Sequence, residues 1–250
     1  MITRRALAGS LVAGGGLLLS GCDALDGSPR FREALRTGER LTMRAQRLIV
    51  DRTALAREYS AADLSPVFRA NGTRMPGSPE YAAHAANRFT DWRLAVDGLV
   101  ARPLSLSLAQ LGAMPARTQI TRHDCVEGWS AIGQWTGTPL KLILDAAGLK
   151  QSAHYIVFHC ADNFGPTPYY ESIDLIDAFH PQTILAFALN DQPLRVANGA
   201  PLRLRVERHL GYKQAKFLMQ IKAVDSLAAI HGGKGGYWED RAGYDWYAGI

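Results

Sequence analysis

Two hundred and fifty residues, 47% hydrophobic and 20% charged, make an ordinary globular chain with room for one large domain or two small ones. The net charge of +5 is unevenly placed, with ten arginines against five acids between Arg30 and Arg74. Such a segment suits an anionic cofactor, a membrane surface or nucleic acid, but no nucleic-acid motif accompanies it and a solvated basic helix face is the simpler account. The three cysteines, Cys22, Cys125 and Cys160, are irregularly spaced, which excludes a disulfide framework.

The first 22 residues read as an address. Arg4 and Arg5 precede an apolar run at residues 6–19, too short to span a bilayer and laid out as an export signal. Thr3-Arg4-Arg5 resembles a twin-arginine signal, the route for proteins exported folded. Leu19-Ser20-Gly21-Cys22 resembles a bacterial lipoprotein box whose cysteine is lipidated, and Asp23 resembles an inner-membrane retention signal. Residues 23–29 read as a tether.

Residues 30–59 carry a helical pattern that Asp63-Leu64-Ser65-Pro66 breaks, and a turn-rich loop and a short helix at 80–88 follow. Residues 30–90 are expected to form a helical and loop region packed on the core. Residues 92–100 alternate as a strand and turn at Asp97-Gly98, the strongest hairpin dipeptide. Strands are predicted at 104–108, 117–122, 154–160, 169–173, 183–190, 201–207 and 217–224. Short helices are predicted at 109–114, 139–147 (proline first, Gly148 after its end) and 174–179. From Gly232 a glycine- and aromatic-rich tail reads as irregular chain lying over the domain. Many short strands with interspersed helices indicate an α+β fold of mixed sheets, with residues 91–250 as its main domain.

Two clusters carry chemistry. The first runs from Thr121 to Ser130 and puts His123, Asp124, Cys125, Glu127 and Trp129 together. A thiol among cations tends to be a thiolate, hence a nucleophile or metal ligand; the plain alternative is a small buried hydrophobe. A hydrolase nucleophile elbow is excluded, because Ile132 stands where Gly128-Trp129-Ser130 would need glycine two residues on. No second Cys or His pair completes a zinc site. A cysteine–histidine hydrolase, with His159, His180 or His209 as base, has no support in the spacing. The second cluster runs from Asn198 to Lys216. Alternation places Arg203 and Arg205 on one face, opposite Leu202, Leu204 and Val206. Such converging cations suit a phosphate-bearing ligand, and a solvated strand edge is the alternative.

Cys125 followed by Trp129 and Gly137-Thr138-Pro139-Leu140 resembles the molybdopterin-binding domain of the sulfite oxidase superfamily, nearest its periplasmic methionine-sulfoxide reductase branch. Tyr169 to Glu171, Ala178-Phe179-His180-Pro181, Asn198-Gly199-Ala200-Pro201-Leu202-Arg203 and Gly211-Tyr212-Lys213 continue the match in order. The resemblance implies a molybdenum–molybdopterin cofactor, with Cys125 as the thiolate ligand and Glu127 as a catalytic carboxylate near the metal. It implies cofactor contacts from Asn198, Arg203, Gln214, Ala215 and Lys216, and from Asn71, although Gly72-Thr73-Arg74 departs from the reductase pattern. Cys160 stands where that branch has threonine. Only 34 residues follow Lys216, so the larger family's dimerisation domain has no counterpart and a monomer is expected. The implied function is oxygen-atom transfer on a small S- or N-oxide in the periplasm. The anchor would be lipidated Cys22, and electrons would come from a membrane haem or quinol-linked partner. A sulfite-type oxidase, or a non-catalytic lipoprotein using the fold as a binding module, are the alternatives.

Overall fold

The computed structural model describes residues 28–250, so Arg4, Arg5, Cys22 and the expected export signal and most of the tether lie outside the described residues. The described residues fall into two units, divided between residues 50 and 51. In the first, helix α1 (Pro29–Ile49) starts where Ser28 accepts a hydrogen bond from Phe31 N and Pro29 takes the first turn. It ends about ten residues earlier than its pattern predicts. At residue 51 the Asp51 carboxylate takes both the backbone N–H and the hydroxyl of Thr53, a local bond that competes with helix.

The second unit contains two five-stranded sheets. In the first, β1 (Arg93–Gly98) is flanked by β2 (Leu104–Ser107) and β10 (Leu218–Val224), and β5 (Tyr155–Phe164) and β6 (Thr167–Asp174) complete the order β2-β1-β10-β5-β6. Only β1 and β10 run parallel in that sheet. The Asp97-Gly98 hairpin is not formed as a tight turn. Gly98 has φ +85° because a Cβ there would meet the Ala223 carbonyl, and the chain first pairs Leu99 N with that carbonyl before returning as β2. The second sheet is entirely antiparallel: β3 (Arg117–Cys125), β4 (Trp129–Pro139), β7 (Ile184–Leu189) and β8 (Gln192–Pro193), with β9 (Arg203–Arg205) also on β7. Short helices α2 (Pro79–Ala86), α3 (Leu108–Ala113), α4 (Leu140–Ala147) and α5 (Leu175–Ala178) fall between strands, and α6 (Tyr237–Ala242) lies in the tail. The expected α+β class is what the chain adopts.

Strand alternation distributes the core. Leu94, Val96, Ile156, Phe158, Leu218 and Ile221 pack with Ile143 and Leu144 of α4 in the main cluster. On β7, Leu185 faces that cluster, whereas Ile184 and Ala186 face a second one around Phe68 and Trp135. β9 divides likewise: Leu204 enters the main core and the arginines on either side of it stack on Trp135. The inward face of β3 is different, being Gln119, Thr121, His123 and Cys125, all buried. A polar row is stable inside only if it is bonded. Arg205 donates to His123 Nδ1 (3.1 Å) and Thr121 Oγ1 (3.4 Å), and Gln119 donates to Glu207 Oε1 (2.8 Å). This row carries β3 to the functional site, with Cys125 at its end.

Candidate active site

A three-residue loop joins β3 to β4, pairing Cys125 with Trp129. Gly128 N donates to Cys125 O (3.0 Å), and Gly128 at φ +84° supplies the left-handed residue that such loops require. The loop fixes Glu127 two residues beyond the thiol. One Glu127 oxygen accepts from Gly72 N (3.3 Å) and the other from Trp129 Nε1 (3.0 Å). Cys125 and Glu127 open onto a cavity of about 200 Å³, also lined by Asn71, Thr73, Asp162, Gln214 and Lys216. Five of the eight residues expected at the site therefore meet at one cavity.

The other three lie behind its wall. Ala215 packs in the main core, and its carbonyl accepts from Leu204 N (2.8 Å). Arg203 is fully buried; it donates to the carbonyls of Asn198 (3.1 Å) and Gln214 (3.3 Å), tying both polypeptide segments together. The expected shared face of Arg203 and Arg205 is present, but the strand is interior, not a solvated edge. Arg205 is engaged by Glu207 (2.5 Å), and Lys213 is held by Glu171 (2.6 Å) and Glu239 (2.5 Å). These two cations serve internal ion pairs, which leaves Arg203 and Lys216 as the cations for a ligand.

Lys216 Nζ donates to the carbonyls of Asn71 (2.6 Å), Thr73 and Ala197 (3.2 Å), so it binds the loop at 71–73 to the cavity wall. Burial, then the Arg203 charge, lowers its pKa to about 7. Burial, then Arg205, lowers Arg203 to about 9. Cations crowded in a dry place without an anion are destabilised, and an anionic ligand removes that cost. Asp162, on β5, is raised to about 6 by burial. The Cys125 thiol is also pushed up: burial is the largest influence, and the Glu127 backbone hydrogen bond and the Arg203 and Lys216 charges oppose it more weakly. The thiolate expected among these cations is thus not a property of the protein alone, and metal coordination is what deprotonates such a thiol. Cys160 is a buried core thiol pushed far up by desolvation.

The residues fit the implied cofactor. Asn198 Nδ2 and Arg203 Nε are buried donors, and Asn71 Oδ1 and Asp162 Oδ1 buried acceptors, without hydrogen-bond partners among the described residues. Each such atom costs about 1–3 kcal/mol unless a ligand bonds it. Among the described residues no three His, Cys, Asp or Glu cluster as a metal site. No histidine among the described residues lines the cavity with Cys125. His123, two residues earlier on β3, has Nδ1 engaged by Arg205 and a pKa well below the usual range through burial. His209 is bound to Asp177 and His180 to the Ala54 carbonyl. Gly211 is needed because a Cβ there would stand 2.5 Å from His123 Nε2.

Sequence reasoning missed Asp162 and the tail residues Trp238 and Tyr244, all of which line the cavity. The signals were a carboxylate two residues past an apolar strand and the density of aromatics after Gly232.

Comparison with known proteins shows the family of the chain. The oxidoreductase molybdopterin-binding domain model matches residues 81–229. A protein of Azospira oryzae named "Putative protein-methionine-sulfoxide reductase subunit YedZ1" is 38% identical over 96% of this chain and 85% of its own length. The protein-methionine-sulfoxide reductase catalytic subunit of Xanthomonas campestris is 34% identical over 56% of this chain and 47% of its length. That of Ralstonia nicotianae is 37% identical over 54% and 44%. This chain therefore matches about half the length of those two catalytic subunits. The sulfane dehydrogenase SoxCD of Paracoccus pantotrophus shares the fold, with TM-score 0.52 at 23% identity over 61% of this chain and 41% of its own. The chain belongs to the oxidoreductase molybdopterin-binding domain family and is a molybdenum–molybdopterin oxidoreductase.

Proposed function

We propose that this protein reduces a sulfoxide or similar S-oxide outside the cytoplasm, at the outer face of the inner membrane. The observation that carries this reading is the Cys125–Glu127 turn, which fixes a carboxylate at the same cavity as the thiol. That carboxylate disfavours an anion such as sulfite as substrate and accommodates a neutral S-oxide. The names of the relatives support the same direction. In the reaction the S–O bond breaks, the sulfoxide takes up two electrons and two protons, and a thioether and water leave.

The bound cofactor supplies the oxygen-atom and electron-transfer chemistry. In this reading Cys125 holds the metal. Arg203 and Lys216 neutralise the pterin phosphate, and Asn71, Asn198 and Gln214 orient the organic part by hydrogen bonds. The part of Ala215 is confined to backbone. Glu127 positions a water molecule, which donates to the carboxylate's free lone pairs. Asp162, raised to about 6 by burial, stands at the cavity wall as a group that takes up and gives up a proton a little below neutral pH, with Oδ1 free toward the departing oxygen. Electrons come from a membrane haem or quinol-linked partner. Lipidated Cys22 is the proposed anchor, on the resemblance of Leu19-Ser20-Gly21-Cys22 to a lipoprotein box.

Turnover of the cofactor-loaded protein tests the direction. With a reduced viologen as donor, methionine sulfoxide should be consumed and thioether formed. Sulfite oxidation with ferricyanide, with no sulfoxide reduction, would reverse the assignment.

A further inference from the structure

Residues 230–250 lie beyond the part of the chain that the family model matches, yet they build one side of the cavity. Trp238 of α6 and Tyr244 stack at 5.8 Å, Trp238 meets Phe164 edge-on at 5.4 Å, and Tyr244 meets Tyr212 at 5.0 Å. With Tyr169 these rings line the cavity alongside the polar Cys125, Glu127, Asp162 and Lys216. The segment is firmly tied. Buried Lys213 bridges Glu171 and Glu239, Tyr212 Oη donates to Asp245 O (2.6 Å), and Trp246 Nε1 donates to Ser172 Oγ (2.9 Å). At Gly236 a Cβ would overlap the Glu239 carboxylate, so the strap runs as close to the ion triad as backbone can.

We propose that Trp238 and Tyr244 are specificity-determining residues which bind the alkyl arm and S-methyl end of the substrate, selecting alkyl methyl sulfoxides over compact or anionic oxo-compounds. Aromatic faces and edges favour sulfur and methyl groups, and a ring wall gives no compensation to a desolvated anion. Tyr244 is 37% exposed, so the wall extends to the surface and a longer arm finds more ring to cover. This rests on the S-oxide reading above and names the part of the substrate that the tail recognises.

The test uses unreactive sulfones as probes, so that binding is read without turnover. Dimethyl, ethyl methyl, propyl methyl and butyl methyl sulfone are titrated calorimetrically into cofactor-loaded full-length protein. In the wild type the dissociation constant should fall with each methylene, by up to about fourfold where the group is fully buried. Trp238→Ala and Tyr244→Ala should flatten that trend, whereas Trp238→Phe should keep most of it. Equal cofactor content and thermal melting guard against misfolding, and Trp238→Phe keeps the test open if an alanine variant fails to fold. The same chain-length trend in the wild type and both alanine variants would overturn the proposal, as would tighter binding of sulfite than of any sulfone. If the trend and its loss are found but no S-oxide is turned over, the aromatic wall stands and the reaction assignment falls.

Discussion

At Cys125 the chain places a thiol that burial keeps protonated at a cavity whose polar wall has unfilled hydrogen-bonding capacity. Cys125→Ser should therefore give a folded protein with lost turnover, because the hydroxyl is a poor substitute for a soft thiolate. Cys160→Ser, in the core and away from the cavity lining, should be far milder, and steady-state rates of the two variants provide the check. Arg203→Ala removes a charge-assisted partner worth about 1.5–3 kcal/mol, roughly ten- to a hundredfold in cofactor affinity. Pterin content under limiting cofactor measures it. Asp162 gives a pH signature in the cofactor-free protein. Its folded pKa of about 6 lies above the ordinary value of 3.8, so the folded state holds the extra proton between these values and stability falls as pH rises through that window. Asp162→Asn should relieve that cost by up to about 3 kcal/mol above pH ~7, at 1.36 kcal/mol per pKa unit, and by almost nothing near pH ~4. Urea unfolding at the two pH values reads the difference.

Among the elements, those with a clear local period were legible and those decided by a neighbour were not. β2 announces itself in Leu104-Ser105-Leu106-Ser107, and α4 in its flanking Pro139 and Gly148, the latter left-handed at φ +69°. β4 passed unread because Gly133 and Gly137 interrupt its pattern. Gly137 is there for close approach, since a Cβ would overlap the Leu185 carbonyl on β7. Gly137→Val should thus separate β4 from β7 and destabilise by about 1–3 kcal/mol or more, read as a lower denaturation midpoint. The Asp97-Gly98 dipeptide misled as to the turn: Gly98 is set by its close approach to β10, and residues 99–103 carry the chain back to pair antiparallel as β2. The family resemblance named Asn71, Cys125, Glu127, Gln214 and Lys216, which the fold brings to one cavity, but periodicity alone had no means of placing Asp162 or the tail. Their position depends on contacts between β5, the turn at residues 211–213 and α6, far apart in sequence.

At the scale of the whole molecule, the second unit holds the candidate site, and for the proposed membrane attachment the basic segment and the lipid are competing accounts. Exposed charges are screened by salt, whereas acyl chains hold at about 0.8 kcal/mol per buried CH₂. The mature protein should stay with membranes in high salt, and Cys22→Ala should release it; clean release of the wild type by salt alone would favour the basic surface. The central claim is that molybdenum is held by the protein through Cys125. X-ray absorption at molybdenum in protein purified after its native export counts the sulfur neighbours directly. The Cys125→Ser protein should show one sulfur neighbour fewer than the wild type, with Cys160→Ser unchanged. An equal sulfur count in wild type and Cys125→Ser, with molybdenum still bound, would contradict it.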